Sequence, residues 1–518
     1  MNSRLAAAAA LLALLSSPAL AQRPDASTVV VAFGTDAQTL EPAEMNSRDT
    51  MNIADHIFGS LYEIGDDGHL SPYFADSFSE NTDGTEIAFK LHPGLTCHDG
   101  SPLTAEDVAF TFDRARDPAN KFTGSTPGFV LTSLGFKGTR VIDPLTVGIE
   151  LNAYNPIALG LITEVKIVCK APYTKMSRVQ ATQTPVGTGP YRFVEWVKSD
   201  RIVLEKQPGF TLRHAFFDRI VWRVIPEAST RAAELMAGNV DVITSVAPDQ
   251  IDTVNHSANA KVQAVSGTRR MYVGVQMKPI FSTPGGIAVR KDDVRRALQY
   301  AIDVPTICEQ LLRTSCQRAT DLVNPPLGNP DIKPYPYDPA AAEKMLDAAG
   351  YPRGANGVRF ELTLQAASGR YLNDHDVVLA IAQYLSDVGV KTNVEFMDWA
   401  SVFLPLTRRH EAGPLFFLGT GGGTWNPLYD MADFADVSSV TNTPSWSDPD
   451  WFSLWPEANR KQPEVDRQKV VNRMLQVFHD KGPWLELYFQ PDFYGVSNRL
   501  AWQARRDERI NLVGATLK

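Results

Sequence analysis

Apolar and polar positions along this chain follow two periods, and the two exchange places often. In "KDDVRRALQYAID", Val294, Leu298, Ala301 and Ile302 recur at helical spacing and predict an amphipathic helix. In "SPLTAEDVAFTFDRARDP", Thr104 stands as an N-cap with Asp107 three residues on, a capping box with Asp in the place of Glu. "DPAAAEKMLDAAGYP" has Asp338 as cap, Pro339 at the first helical position and Gly350 as a stop ahead of Pro352. Between such segments lie β-rich runs, among them "RIVLE" (Arg201–Glu205) and "IVWRVI" (Ile220–Ile225). Helices and strands alternate throughout, without an internal repeat, a low-complexity tract or a long Gly/Ser linker. The expected fold class is therefore α/β or α+β lobes.

The N-terminus breaks this pattern. Arg4 supplies a positive charge, Leu5 to Leu15 is an unbroken apolar run, and Ala19-Leu20-Ala21 is an A-x-A cleavage site. The run is too short to span a bilayer and no stop-transfer charge follows it. Residues 1–21 are therefore expected to be a secretory signal peptide cut after Ala21. No cysteine follows the apolar run, so no lipid anchor is expected, and no later segment approaches the ~18 consecutive apolar residues of a membrane span. The mature chain reads as exported, with room for two or three domains.

Composition narrows the partners. The formal net charge of −9 argues against nucleic acid or an anionic membrane surface. The four cysteines, Cys97, Cys169, Cys308 and Cys316, are an even count in an exported chain, which suggests disulfides with three connectivities open. Cys308 lies in a helical pattern and Cys316 just past its end, so a local bridge is the easiest pairing and leaves Cys97 with Cys169. Four free buried thiols are the alternative. Neither C-x-x-C spacing nor a histidine cluster suggests zinc, and no cofactor is expected.

Several motifs invite a catalytic reading and fail it. His98 and Asp99 in "HDG" are neighbours on a turn, and no serine or cysteine has the G-x-S-x-G setting. "GTGPY" (Gly187–Tyr191) lacks the GK[ST] ending of a phosphate loop and leads into a strand. His410-Glu411 does not extend to H-E-x-x-H. "LFFLGTGGGTWNP" (Leu415–Pro427) has four glycines in five positions but no following lysine, and Pro427 and Trp425 stand where a helix would start. Nothing assembles an acid, a base and a nucleophile, so an enzyme is not expected.

The order of the segments carries more. "HDGSPLTAEDVAFTFDRARD" (His98–Asp117), "TPVGTGPYRFVEWVKSDRIVLEKQPGF" (Thr184–Phe210) and "DRIVWRVIPEASTRAAELMAGNVDVI" (Asp218–Ile243) follow one another. "VRRALQYAID" (Val294–Asp303), "DPAAAEKMLDAAGY" (Asp338–Tyr351) and "GRYLNDHDVVLAIAQYLSDVGVKTNVEFMDWASVF" (Gly369–Phe403) come after them. Together these closely resemble the extracytoplasmic solute-binding proteins of peptide-type ABC importers, the dipeptide, oligopeptide and nickel family (family 5). The resemblance implies an α/β, two-lobed periplasmic-binding-protein clamshell, type II of the peptide-binding class, with an extra subdomain in the first lobe. Lobe I would span 22–270, with the subdomain at about 60–185, lobe II 271–485, and 486–518 would return to lobe I. "RRMYVGVQM" (Arg269–Met277) is one candidate for the first crossing, and "WLELYFQPDFYGV" (Trp484–Val496) is the expected return strand. The resemblance also implies a monomer in the periplasm that delivers a small molecule or peptide to an inner-membrane ABC permease.

In this family the Gly-rich loop lines the ligand cleft, and dipeptide-binding relatives carry a "GWTGDxGDP"-like stretch whose first aspartate pairs with the ligand amine. Aligning Gly419 and Pro427 to it puts Gly423 at that aspartate and Asn426 at the second. A buried ammonium without a carboxylate is costly, so the chain departs from the dipeptide pattern unless Asp430 or Asp433 substitutes. Thr420, Gly421, Gly422, Gly423, Trp425, Asn426 and Tyr429 are the expected pocket wall, with glycines admitting the ligand and aromatic faces stacking on it. Arg370 is the expected carboxylate partner, Ser47 and Arg48 face the cleft from lobe I, and Trp399 and Trp446 are weaker candidates. Two cargo classes follow, a peptide-like molecule or a non-peptide solute such as an opine or sugar conjugate. A secreted hydrolase and a receptor serving a membrane sensor are the competing functions.

Overall fold

The computed structural model describes residues 25–316, 318–324, 327–421 and 425–518. The expected signal peptide, Gly422 and Gly423 lie outside them. Among the described residues no helix is long and apolar enough to cross a membrane.

One ten-stranded sheet runs through the molecule. Its strands in chain order are β1 (Thr28–Phe33), β2 (Tyr191–Val197), β3 (Arg201–Lys206), β4 (Arg219–Val224), β5 (Val242–Ile243), β6 (Ala260–Val275), β7 (Phe360–Ala367), β8 (Val390–Met397), β9 (Leu415–Gly421) and β10 (Trp484–Ser497). The spatial order is β8-β7-β9-β6-β10-β5-β1-β4-β3-β2. β1 lies parallel to β4 and β5, and β7 parallel to β8 and β9, while the two long strands β6 and β10 pair antiparallel with each other.

β6 and β10 join two halves of the sheet. Ala260–Ser266 pairs with Pro491–Ser497, next to β5, and Arg270–Gly274 pairs with Trp484–Phe489, next to β9. Between these stretches the register shifts, so Gly267, Thr268 and Arg269 stand opposite Gln490 alone. A proline inside a strand is tolerated only at an edge or an irregularity, and Pro491 sits at this break. Each half has its own core: Val29, Val31, Ile53, Ile57, Tyr191 and Trp222 on one side, Val273, Leu298, Ile302, Leu364, Ile381 and Leu485 on the other. A third core around Phe89, Phe112, Phe136 and Ile149 fills a separate four-stranded sheet built from residues 75–151. Separate cores are the mark of bodies that can move against one another.

Cys97 is bonded to Cys169 inside that third body, and Cys308 to Cys316 in the second half. The two rejected motifs turn out to be one joint. The His98 amide donates to the Gly187 carbonyl (2.9 Å), His98 Nδ1 accepts from the Gly187 amide (3.2 Å), and Nε2 donates to the Gly189 carbonyl (2.9 Å). Burial pushes this imidazole down to about 4, so it stays neutral and ties the "HDG" turn to "GTGPY".

Candidate functional site

Three connected cavities lie along the seam between the two halves. The one against the register break, about 320 Å³, is lined by Arg48 and Asp49 from the first half, Arg269, Asp492 and Glu508 at the break, and Arg370 from the second. Arg48 also lines a middle cavity of about 190 Å³ with Phe129, Glu164, Gly421 and Tyr429. Phe129, Gly421 and Tyr429 continue into a third space of about 720 Å³, between residues 129–157 and the segment after β9.

The helix α1 (Arg48–Ile57) sets the first wall. Ser47 caps it, accepting from the Thr50 amide and donating to the Thr50 hydroxyl (2.9 Å), so the cap employs the hydroxyl expected to face ligand. Arg48 next to it feels the charges of Asp55, Glu164 and Asp507. It forms no direct ion pair among the described residues. Those acids are already held by Arg509, which bonds Glu164 and lies 3.3 Å from Asp507 and 3.8 Å from Asp55. The run "RRDER" (Arg505–Arg509) is thus an internal ion network behind the cleft.

Arg370 enters from the second half. Its guanidinium lies over Trp399 (5.1 Å) and Tyr371 (5.2 Å) and meets no carboxylate among the described residues at ion-pair distance. Burial and the nearby Arg269 lower its pKa. Arg269 itself pairs with Glu508 at 3.1 Å. Burial and the Glu508 charge push Asp492 up to about 8, and its Oδ2 has no partner among the described residues.

The segment after β9 differs in part from expectation. Trp425 has φ +51°, a left-handed backbone that turns its indole into the first half instead of along the pocket wall. It is 8 % exposed, lies under Arg506 (5.5 Å) and abuts Gly68, where a Cβ would sit 2.7 Å from the Trp425 Cβ. It is a wedge between the halves and lines none of the three cavities. Asn426 is an N-cap, its Oδ1 accepting from the Leu428 amide (3.0 Å), and Pro427 opens the short helix Pro427–Met431. A helix does start here, against expectation, because Asn-Pro is a cap followed by a favoured first residue. Tyr429 projects from it to meet Phe129 edge-on at 5.8 Å. Trp446 is packed in the second half against Phe434 and Trp451.

Of the two substitute acids, Asp430 faces the fully buried Arg270 at 3.6 Å. Asp433 accepts from Thr420 Oγ1 (3.4 Å) and lines the third cavity. Glu486 and Asp321 complete a ring of four acids around Arg270. Burial raises all four, Asp430 to about 6, Asp433 to about 7 and Glu486 to about 8, and Arg270 opposes it. Sequence reasoning missed this ring, whose members are scattered over 165 positions of chain, and missed Phe129, Tyr154 and Trp455 on the third cavity. It also missed Asp492, although Pro491 inside a strand pattern was a usable signal of a bulge.

The family of bacterial extracellular solute-binding proteins, family 5 middle region, matches residues 69–442. The glutathione-binding protein GsiB of Escherichia coli K12 is 27 % identical over 494 residues, covering 92 % of this chain and 90 % of GsiB. DppA from Helicobacter pylori, solved with the peptide STSA, superimposes with a TM-score of 0.75 at 22 % identity, over 95 % of this chain and 98 % of DppA. AgaA from A. tumefaciens R10, solved with agropinic acid, gives 0.72 at 20 % identity, over 95 % and 99 %. The fold is that of the type II periplasmic binding proteins.

Proposed function

We propose, from the premise that the chain belongs to the bacterial extracellular solute-binding proteins of family 5, that it is the receptor of an ABC importer. It takes a small peptide-like solute between two lobes and presents the closed form to a membrane permease. The observation that carries this reading is the pair Arg48 and Arg370. They come from opposite halves, line one cavity, and neither has a carboxylate of its own at ion-pair distance among the described residues. A ligand carboxylate held by both exists as a contact only when the halves are closed, so binding shifts the open–closed equilibrium. A micromolar affinity corresponds to about −8 kcal/mol.

Supporting the peptide-like reading are GsiB, which binds glutathione, and DppA, which was solved with a peptide. The second reading, an acidic non-peptide solute such as an opine, is favoured by the same arginines and by AgaA with its agropinic acid. The periplasm is the site of action, reached after cleavage at Ala21, and the protein works there as a monomer without catalysis. Calorimetry and small-angle scattering with peptides, C-terminally amidated peptides and opines test this. Binding that needs a free carboxylate, with a decrease in radius of gyration, is expected. Tight binding that leaves the scattering curve unchanged would refute closure, and turnover of a bound peptide would refute a pure receptor.

A further inference from the structure

Resting on that reading, we infer that the third cavity takes a cationic group carried on an apolar arm, an amine or guanidinium, with Asp433 as its countercharge. The two ends of the cleft differ in charge. Three arginines, Arg48, Arg269 and Arg370, and three acids, Asp49, Asp492 and Glu508, line its end at the register break. At the opposite end, in a space of about 720 Å³, the lining contains the carboxylates Asp430 and Asp433 and, among the described residues, no Lys, Arg or His. Four rings, Phe129, Tyr154, Tyr429 and Trp455, line the same space. Aromatic faces attract cations and cover apolar arms alike.

The two acids are not equivalent. Asp430 is turned to Arg270 at 3.6 Å. Asp433 forms no direct ion pair among the described residues and accepts only from the hydroxyls of Thr420 and Thr441. Arg270 faces four acids, Asp321, Asp430, Asp433 and Glu486, and with Arg318 also acting on Glu486 the ring still has acid in excess. A ligand cation at Asp433 supplies the missing positive charge. The excess also gives a signature beyond affinity. Asp433, pushed up to about 7 by burial, carries a proton in part of the molecules at neutral pH. A cation bound beside it favours the ionised form, so binding releases protons to the buffer. Arg270, Asp430, Tyr272 and Tyr429 face the same carboxylate and set the size of the release.

The experiment uses the mature protein and tripeptides of alanine carrying lysine, arginine, norleucine or glutamate at one position. Titration calorimetry runs in two pH 7 buffers of different ionisation enthalpy. Lysine or arginine members should bind at least tenfold tighter than norleucine members and release protons that norleucine members do not. D433N should abolish that preference and the release. The inference is overturned if lysine, arginine and norleucine bind alike, if glutamate is preferred, or if the preference survives in D433N. Should D433N fail to fold, proton release from the wild-type protein decides: equal release with lysine and norleucine overturns it. Failure of every tripeptide to bind removes the peptide-like reading, and this inference with it.

Discussion

Replacing Arg270 by methionine is the most demanding test of the buried charge ring. The guanidinium is fully buried, 3.6 Å from Asp430, and a Coulomb attraction at that distance is about 4.6 kcal/mol at an effective dielectric of 20. Breaking a buried pair by removing one partner costs about 3–5 kcal/mol, because the surviving charge is stranded. The loss depends on pH, and its sign is fixed. Asp430, Asp433 and Glu486 have folded pKa values raised to about 6, 7 and 8, above those of an unfolded chain. Their contribution to stability is therefore complete at low pH and declines as pH rises through those values. Without Arg270 the values rise further and the decline steepens. Urea unfolding at pH 5 and pH 8 should show R270M destabilised by about 3–5 kcal/mol at pH 8 and by clearly less at pH 5, where the acids are protonated. Acids outside the ring, such as Asp55 and Asp507, titrate with the opposite sign, but they are common to both proteins and cancel in the difference. An equal loss at the two pH values, or one under about 1 kcal/mol at pH 8, would refute the countercharge role.

Three further outcomes follow from the geometry. W425A removes the wedge against Gly68 and Arg506, so stopped-flow release of a bound solute should accelerate about tenfold, equivalent to about 1.4 kcal/mol. R48A and R370A should each weaken a free carboxylate ligand by about 2 kcal/mol or more and leave its amide unchanged in calorimetry. Loss of Cys97–Cys169 in the double alanine variant should cost about 4 kcal/mol by loop-closure entropy, against about 2.5 for Cys308–Cys316. Their sequence separations are 72 and 8 residues, and denaturation midpoints compare the two losses.

The fold was legible because the signals were local and numerous. Caps at Thr104 and Asp338, the face of Val294 and Leu298, and the order of six segments all agree with one architecture. The cleft was legible only at its edges. Arg48 and Arg370 announce themselves as charges beside turn signals, whereas Ser47 and Asn426 look like ligand groups and serve as helix caps. Those two roles demand the same side-chain chemistry, and a sequence does not separate them. Trp425 was misleading for a backbone reason: a left-handed φ reverses where its ring points, and nothing in "GTWNP" marks which residue takes that φ. The ring around Arg270 was hidden because burial, not sequence spacing, brings its acids together.

The first half of the sheet is finished from its far end. β10 supplies the neighbour of β5, and Ile510 and Leu512 bond back to Asn52 and His56 of α1 (3.1 Å each). The outer edge of β5 and these groups of α1 therefore lack their partners until residues 484–512 have been made. Contacts of such long sequence separation form late. For a chain expected to reach the periplasm behind a signal peptide, lateness is useful: this clasp cannot close until the C-terminal end of the chain has been delivered.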